Sequence, residues 1–194
     1  LEREKLIGIL EALIFASEKP LRIDDIKKAL PEAQPKEIRE AIGDLKKIYD
    51  EGSGGIFVAE VARGFQFRTR PEFAPFVKEM LDSRPKKLSR AAMETLSIIA
   101  YRQPVIRSDI ERIRGVDCGG VVKVLLDRKL IKILGKRDVI GKPLIYGTTQ
   151  EFLETFGLKD IKSLPTLKET GDLFTEGEIE EQKEFLFSDE EDQA

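Results

Sequence analysis

The sequence predicts a helix-dominated α+β fold in which one small unit occurs twice, each copy made of three helices and a β-hairpin. Three observations carry this expectation. Phe15 to Ile26, FASEKPLRIDDI, aligns with Ile99 to Ile110, IAYRQPVIRSDI, at an offset of 84 residues, matching Ala16 with Ala100, Pro20 with Pro104, Asp25 with Asp109 and Ile26 with Ile110. Farther on, Phe67 to Phe73, FRTRPEF, aligns with Tyr146 to Phe152, YGTTQEF, at an offset of 79, matching an aromatic residue, a Thr and a Glu-Phe pair. Within each copy, apolar residues at helical spacing give way to strand-like alternation, the pattern of a repeated supersecondary unit. Helix, helix, helix, hairpin is the winged-helix order, so two such domains are expected in tandem.

In the first copy, Leu6, Leu10, Leu13 and Ile14 follow helical spacing until Pro20 breaks the run. Asp24 is placed to cap a short second helix carrying Ile26 and Leu30. A third helix sets Ile38, Ile42, Leu45 and Ile48 along one stripe and ends at Gly52 to Gly55. IFVAEVARGFQFRTR then alternates and turns at Arg63-Gly64, as a hairpin does.

The second copy repeats the order. Ser89 is a cap for a helix with Met93, Leu96 and Ile99 inward, and Gln103-Pro104 ends it. Ser108-Asp109-Ile110-Glu111 has the form of a capping box, and Asp117 is a cap for the third helix with Val121, Val122, Leu125 and Leu126 facing inward. Leu130 to Leu134 and Leu144 to Tyr146 flank GKRDVIGKP, a longer and more basic wing than the first. A last helical turn or two follows from Glu151 and ends at Gly157. The expected boundaries are therefore 1–83 and 84–165, with Pro85-Lys86-Lys87 as linker and 166–194 as an acidic, disordered tail.

Composition narrows the function. The chain has one cysteine, Cys118, and no histidine, so a Cys/His zinc site, an intramolecular disulfide and every His-assisted nucleophile are excluded for a single chain. Gly119-Gly120 and the stretch Gly52 to Gly55 lack the strand, glycine spacing and Lys-Ser/Thr of a phosphate loop, and the acidic tail lacks the glycine and alternating ligands of a calcium loop. No catalytic, metal or cofactor site is predicted, and the protein is expected not to be an enzyme. Leu6 to Ala16 is too short and too charged at its end for a membrane span or a signal peptide, so a cytoplasmic protein is expected.

Charge is segregated along the chain. Residues 1–83 stand at −2, residues 84–150 at +9 and residues 151–194 at −10. Such a basic block calls for an anionic partner or for the tail as its own occupant. The third helix of the basic copy opens on Gly119, Gly120 and Val121, which offer little to read bases with, so weak, non-specific DNA contact is the most the block implies. A partner-binding surface is expected from Tyr101, Arg102, Arg107 and Arg114 around Gly119, Gly120 and Val121, where small residues admit a partner helix and arginines meet its acids. The first helix is more apolar than its own core requires, which makes Ile7, Leu10 and Ile14 candidates for a homodimer surface.

Glu94 to Leu158 carries ETL-x-IIAY-x-QP, then R-x-DIE-x-IRGV, then LIYGTT-x-EFL-x-x-FGL, and in these motifs it resembles the second domain of the segregation and condensation protein B (ScpB) family. EALIFAS-x-x-PL and GF-x-FRT in the first copy are similar to the family's first domain. The resemblance covers roughly residues 1–165. It implies tandem winged-helix domains, dimerisation through the first, and binding of the kleisin subunit ScpA largely through the second, with Smc reached through ScpA. It also implies a nucleoid-associated, non-catalytic adaptor in chromosome condensation and partition. The alternative from another class is a winged-helix DNA-binding transcriptional regulator; the third helix of the first copy, with Lys36, Glu37, Arg39, Glu40, Asp44 and Lys47 on its exposed face, is expected to be too acidic for a DNA groove.

Overall fold

The computed structural model describes residues 2–81 and 87–165. The expected linker residues Pro85 and Lys86 and the acidic segment 166–194 lie outside the described residues. The fold is helix-rich α+β with two small antiparallel sheets, and the chain divides into two compact units.

The first unit runs α1 (Arg3–Ala16), α2 (Ile23–Ala29), α3 (Pro35–Glu51), β1 (Ile56–Val61), β2 (Gly64–Thr69), a 3-10 turn at Pro71–Phe73 and α4 (Ala74–Leu81). Leu6, Leu10 and Ile14 of α1 meet Ile38, Ala41, Ile42 and Leu45 of α3, with Ile26, Leu30 and Val58 closing the cluster. Each fully buried aliphatic side chain contributes about 1.5–3 kcal/mol by leaving water. Polar contacts then tie down the helix ends. Arg3 reaches from α1 to Asp44 on α3 at 2.7 Å, and Tyr49 donates its hydroxyl proton to Glu11, which raises the phenol pKa above its usual value. Arg70 donates to the carbonyls of Tyr49 and Gly54, at 2.6 and 2.8 Å, placing a cation where the end of α3 leaves carbonyls unpaired.

Several boundaries differ from the sequence expectation. Helix α2 opens at Ile23, one residue before Asp24, so Asp24 sits in the first turn instead of capping it; Asp25 pairs with Lys28 at 2.8 Å. Ile48 continues the spacing of the α3 stripe but is more than half exposed, because the stripe outruns the sheet that covers it. The hairpin turns at Ala62-Arg63, with φ of 51° and 63°, one residue earlier than expected. Two non-glycine residues in the left-handed region cost about 1–2 kcal/mol each. Their N–H groups are not wasted: Ala62 donates to the Leu158 carbonyl at 2.9 Å and Arg63 to the Lys159 carbonyl at 2.8 Å. Residues Gly157–Asp160 accordingly belong to the first unit, although the sequence assigns them to the second. Gly64 is needed for closeness: a Cβ there would stand 2.7 Å from the Pro20 carbonyl.

The second unit runs α5 (Arg90–Arg102), β3 (Val105–Ile106), α6 (Arg107–Arg114), α7 (Gly119–Asp127), β4 (Ile131–Lys136), β5 (Leu144–Thr148), α8 (Gln150–Thr155) and a 3-10 turn at Ile161–Ser163. The sheet order is β3-β5-β4. Strand β3 has its counterpart in the first unit as a single bridge, Leu21 with Phe65, where the repeat aligns Leu21 with Val105. Leu96, Ile99, Ile110, Val122, Leu125, Ile131, Tyr146 and Phe152 are buried here. Ser89 caps α5 as expected, accepting the Ala92 N–H at 3.3 Å. Helix α6 begins at Arg107, so Ser108 forms no capping box, and Glu111 turns to other partners.

Leu10 and Ile14, expected at a dimer surface, are fully buried in the first unit's own core; of the three, Ile7 alone keeps part of its surface. Leu10→Ala should therefore lower stability by roughly 2–5 kcal/mol, the usual cost of a core cavity, at every protein concentration. Thermal melts across a dilution series check this, since an interface residue would give a loss that grows on dilution.

Candidate partner-binding surface

The expected surface is built from the end of α5, helix α6 and the start of α7. Its organising residue is Arg107. The guanidinium bonds Glu111 Oε1 at 2.6 Å one helical turn on, and reaches Asp117 in the turn that follows α6. Glu111 Oε1 also accepts the Cys118 N–H at 3.2 Å, and Asp117 Oδ1 accepts the Gly119 N–H at 3.1 Å. The turn between α6 and α7 is thus closed by one cation, two carboxylates and two backbone donors. The N-cap position of α7 falls on Cys118, not on the expected Asp117, which stands one residue before it and accepts the first N–H of the helix.

Electrostatics follow from this geometry. The Glu111 hydrogen bond, with the Asp117 charge, raises the Arg107 pKa, so it stays charged. The Gly119 N–H, joined by the Arg107 charge, holds the Asp117 carboxyl below its ordinary value. Burial, reinforced by the Glu111 charge, pushes the Cys118 thiol up, so it stays protonated and packs as a small core residue.

The arginines are largely committed within the unit. Arg107 lies over Gly119, where a Cβ would stand 2.7 Å from Nη1, so Gly119 is covered instead of open. Arg114 is not a rim residue: its side chain is only 9% exposed and its Nη2 meets Glu94 on α5 at 3.3 Å, leaving Nε buried without a partner. Arg112 pairs with Asp109 at 3.1 Å, and Arg137 reaches the same carboxylate at 3.5 Å. Arg102 is exposed and makes no ion pair among the described residues. Tyr101, partly exposed, donates its hydroxyl to the Pro165 carbonyl at 2.6 Å. Gly120 is open, with nothing within 4 Å of a Cβ, and Val121 is half-buried. The structure therefore brings Tyr101, Arg102, Gly120 and part of Val121 to the surface together with Arg107, which is exposed but ion-paired within the unit, and withdraws Arg114 and Gly119 into the fold.

Two groups of exposed residues escaped the sequence reading. Helix α4, which has no buried residue, carries Phe76 and Met80, 71% and 76% exposed; their four-residue spacing in APFVKEML was the available signal. In the second wing, whose basic character the sequence shows, the unanticipated residues are the exposed Leu134, Val139 and Ile140. A cavity of about 420 Å³ on the first unit, lined by Lys46, Asp50, Phe57, Glu60, Arg68 and Gly157 among others, mixes charges of both signs and presents no nucleophile beside a base. Among the described residues no helix is long and apolar enough to cross a membrane.

Fold and surface together define a duplicated helix-rich α+β protein whose distinctive chemistry lies in exposed charged and apolar patches. The family model for segregation and condensation complex subunit ScpB matches residues 8–167, so the chain belongs to the ScpB family. Segregation and condensation protein B of Syntrophotalea carbinolica is 49% identical over 90% of this chain and 88% of its own. That of Myxococcus xanthus is also 49% identical, over 91% of this chain, but the chain spans only 53% of its length. Among solved structures, ScpB from Mycobacterium tuberculosis is similar at 34% identity, covering 81% of this chain and 98% of its own, with a TM-score of 0.39. A dimer of the ScpB N-terminal domain complexed with ScpA peptide is similar at 28% identity, covering 40% of this chain and 95% of its own, with a TM-score of 0.37.

Since Asp117 ionises at lower pH in the folded chain than in the unfolded one, its contacts add stability at neutral pH. That contribution is lost as the pH falls through the ordinary Asp range towards the lowered folded value. Melts of the full chain from neutral pH into acid should show Asp117→Asn less stable than the parent at neutrality and converging with it in acid. A constant gap between the two curves would contradict the assignment.

Proposed function

We propose that this chain is a non-catalytic adaptor of the bacterial Smc condensin complex, which homodimerises and binds the kleisin subunit ScpA, supporting chromosome condensation and segregation. The observation that carries the reading is the family match, which runs through both units without a break. In this reading the two units are winged-helix domains; the first, 1–83, dimerises, and the chain binds ScpA largely through the second, 84–165, and reaches Smc through it on the nucleoid in the cytoplasm. The related N-terminal domain solved as a dimer with an ScpA peptide supports dimerisation through the first unit and gives that unit a share in ScpA contact.

The residue roles shift with the geometry. Dimerisation falls to the exposed apolar residues of the first unit, Phe76 and Met80 with Phe15 and the open part of Ile7, because Leu10 and Ile14 are already spent on the core. ScpA contact falls to Arg102, Tyr101, Gly120 and Val121. A charge-reversing change at Arg114, whose side chain is almost buried against Glu94, would disturb the unit itself, so loss of binding there would not by itself report contact; Arg107 is exposed and its ion pairs are surface ones of small worth.

Phe76→Glu with Met80→Glu should turn a dimer into a monomer in sedimentation velocity while leaving the melting temperature of the dilute protein near that of the parent. Arg102→Glu should weaken capture of the ScpA middle segment about tenfold, in line with losing one charged contact worth about 1–2 kcal/mol. Unchanged sedimentation and unchanged capture would each remove the corresponding assignment.

A further inference from the structure

The wing of the second unit carries two features that its own fold uses only in part, since Leu134 packs over Gly147 of β5. Lys132, Lys136 and Lys142 are exposed, and none pairs with an acid among the described residues, in contrast to the arginines of α6. Beside them Leu134 and Val139 are about half exposed at 51% and 49%, and Ile140 at the tip is fully exposed. Leu134 is the residue set out of register between Ile133 and Gly135, so the bulge removes it from regular pairing with β5. Solubility alone would favour charge without the apolar tip, and exposed Val139 and Ile140 between Lys136 and Lys142, with Asp138 the one acid of the tip, describe a docking surface.

The same chain contains a segment of complementary composition. Residues 166–194 hold eleven carboxylates against two lysines, and the acidic stretches are interrupted by Leu173-Phe174, Ile179 and Phe185-Leu186-Phe187. A purely solvating acidic stretch has no use for Phe-Leu-Phe, whereas a surface of lysines around Leu, Val and Ile does. The attachment point is in the same unit: the Pro165 carbonyl, where the described chain ends, is held by Tyr101 at the end of α5. An extended chain of this length spans up to ~100 Å, several times the radius of a unit of this size, so reach is no obstacle. Tethering sets an effective concentration near the millimolar range, at which even a weak contact is populated.

We propose that the acidic segment 166–194 docks in cis on the wing of the second unit, its carboxylates on Lys132, Lys136 and Lys142 and its Phe and Leu side chains on Leu134, Val139 and Ile140. The wing is then a surface for an acidic, apolar peptide, and its resident occupant is the chain itself. Any external anion that uses the wing, a duplex phosphate backbone included, must first displace that segment. The inference is independent of the adaptor assignment, since it requires neither ScpA nor dimerisation.

Amide hydrogen exchange on the full chain tests it, with the parent compared to the triple variant Lys132→Glu, Lys136→Glu, Lys142→Glu, each at about 50 mM and about 500 mM salt. The expected result is at least about fivefold slower exchange within 173–187 in the parent at low salt, lost at high salt and lost in the variant, with the amides of α5 and α7 unaffected throughout. Val139→Ser with Ile140→Ser should remove part of the same protection without altering charge. Exchange of the segment at the free-peptide rate in the parent overturns the proposal, as does protection that survives the lysine changes. Protection that rises with protein concentration assigns the contact to a second copy and overturns docking in cis.

Discussion

The arrangement of the second unit depends on one ionic closure, Arg107 with Glu111 and Asp117 across the turn from α6 to α7. It fixes where α7 begins, because the same carboxylates hold the N–H groups of Cys118 and Gly119. It also decides what the surface can offer. The arginine that neutralises the turn stays exposed but shares its charge with two carboxylates of the unit, and in lying over Gly119 it covers one of the small residues that would otherwise admit a helix. Arg114 is withdrawn by Glu94. Cations that are exposed and make no ion pair among the described residues include Arg102 at the end of α5 and the lysines of the wing. Lysine is the more fitting choice there, since a compact, strongly hydrated charge on a flexible stem suits a loose, exchangeable contact, whereas the planar guanidinium suits fixed, forked ones.

The two units show how one scaffold is turned to different ends. Both place three helices before a hairpin, and both seat the first helix against the third. The second unit adds a third strand, β3, where the first has only the Leu21–Phe65 bridge. The segment after the hairpin diverges as well: Phe152 on α8 is buried, while its repeat partner Phe73 leaves more than a third of its surface open and leads into α4, whose apolar side chains find no cover in the unit. The first unit therefore ends with an uncovered apolar face and the second with a basic wing in which Arg137 reaches Asp109 and the three lysines make no ion pair among the described residues.

The helices and hairpins were legible because their signals are local. Apolar spacing along α1, α3, α5 and α7, the breaks at Pro20 and Pro104 and the Ser89 cap act within a few residues of chain, and the repeat displays each of them twice. The errors arose where a local signal competes with a distant partner. Ser108 and Glu111 have the spacing of a capping box, but Glu111 is taken by Arg107 and Cys118, so the helix starts earlier. Asp24 is likewise passed by when α2 opens at Ile23. The hairpin turns on Ala62 and Arg63, two residues with no intrinsic preference for positive φ, because carbonyls nearly a hundred residues later accept their N–H groups.

By itself the amino-acid sequence determined the duplicated order of elements, the identity of most core residues and the family, since all three rest on periodicity and motif spacing that persist in any conformation of the chain. Tertiary structure alone decided which of those residues remain available. Leu10 and Ile14 became core and not interface, Arg107 and Arg114 became ion-paired braces, the first still exposed and the second almost buried, and Phe76, Met80 and the wing lysines were left as open chemistry. Exposure is a property of packing between segments far apart in the chain, and charge pairing depends on approach in space; neither is written in the spacing of residues along a strand or helix.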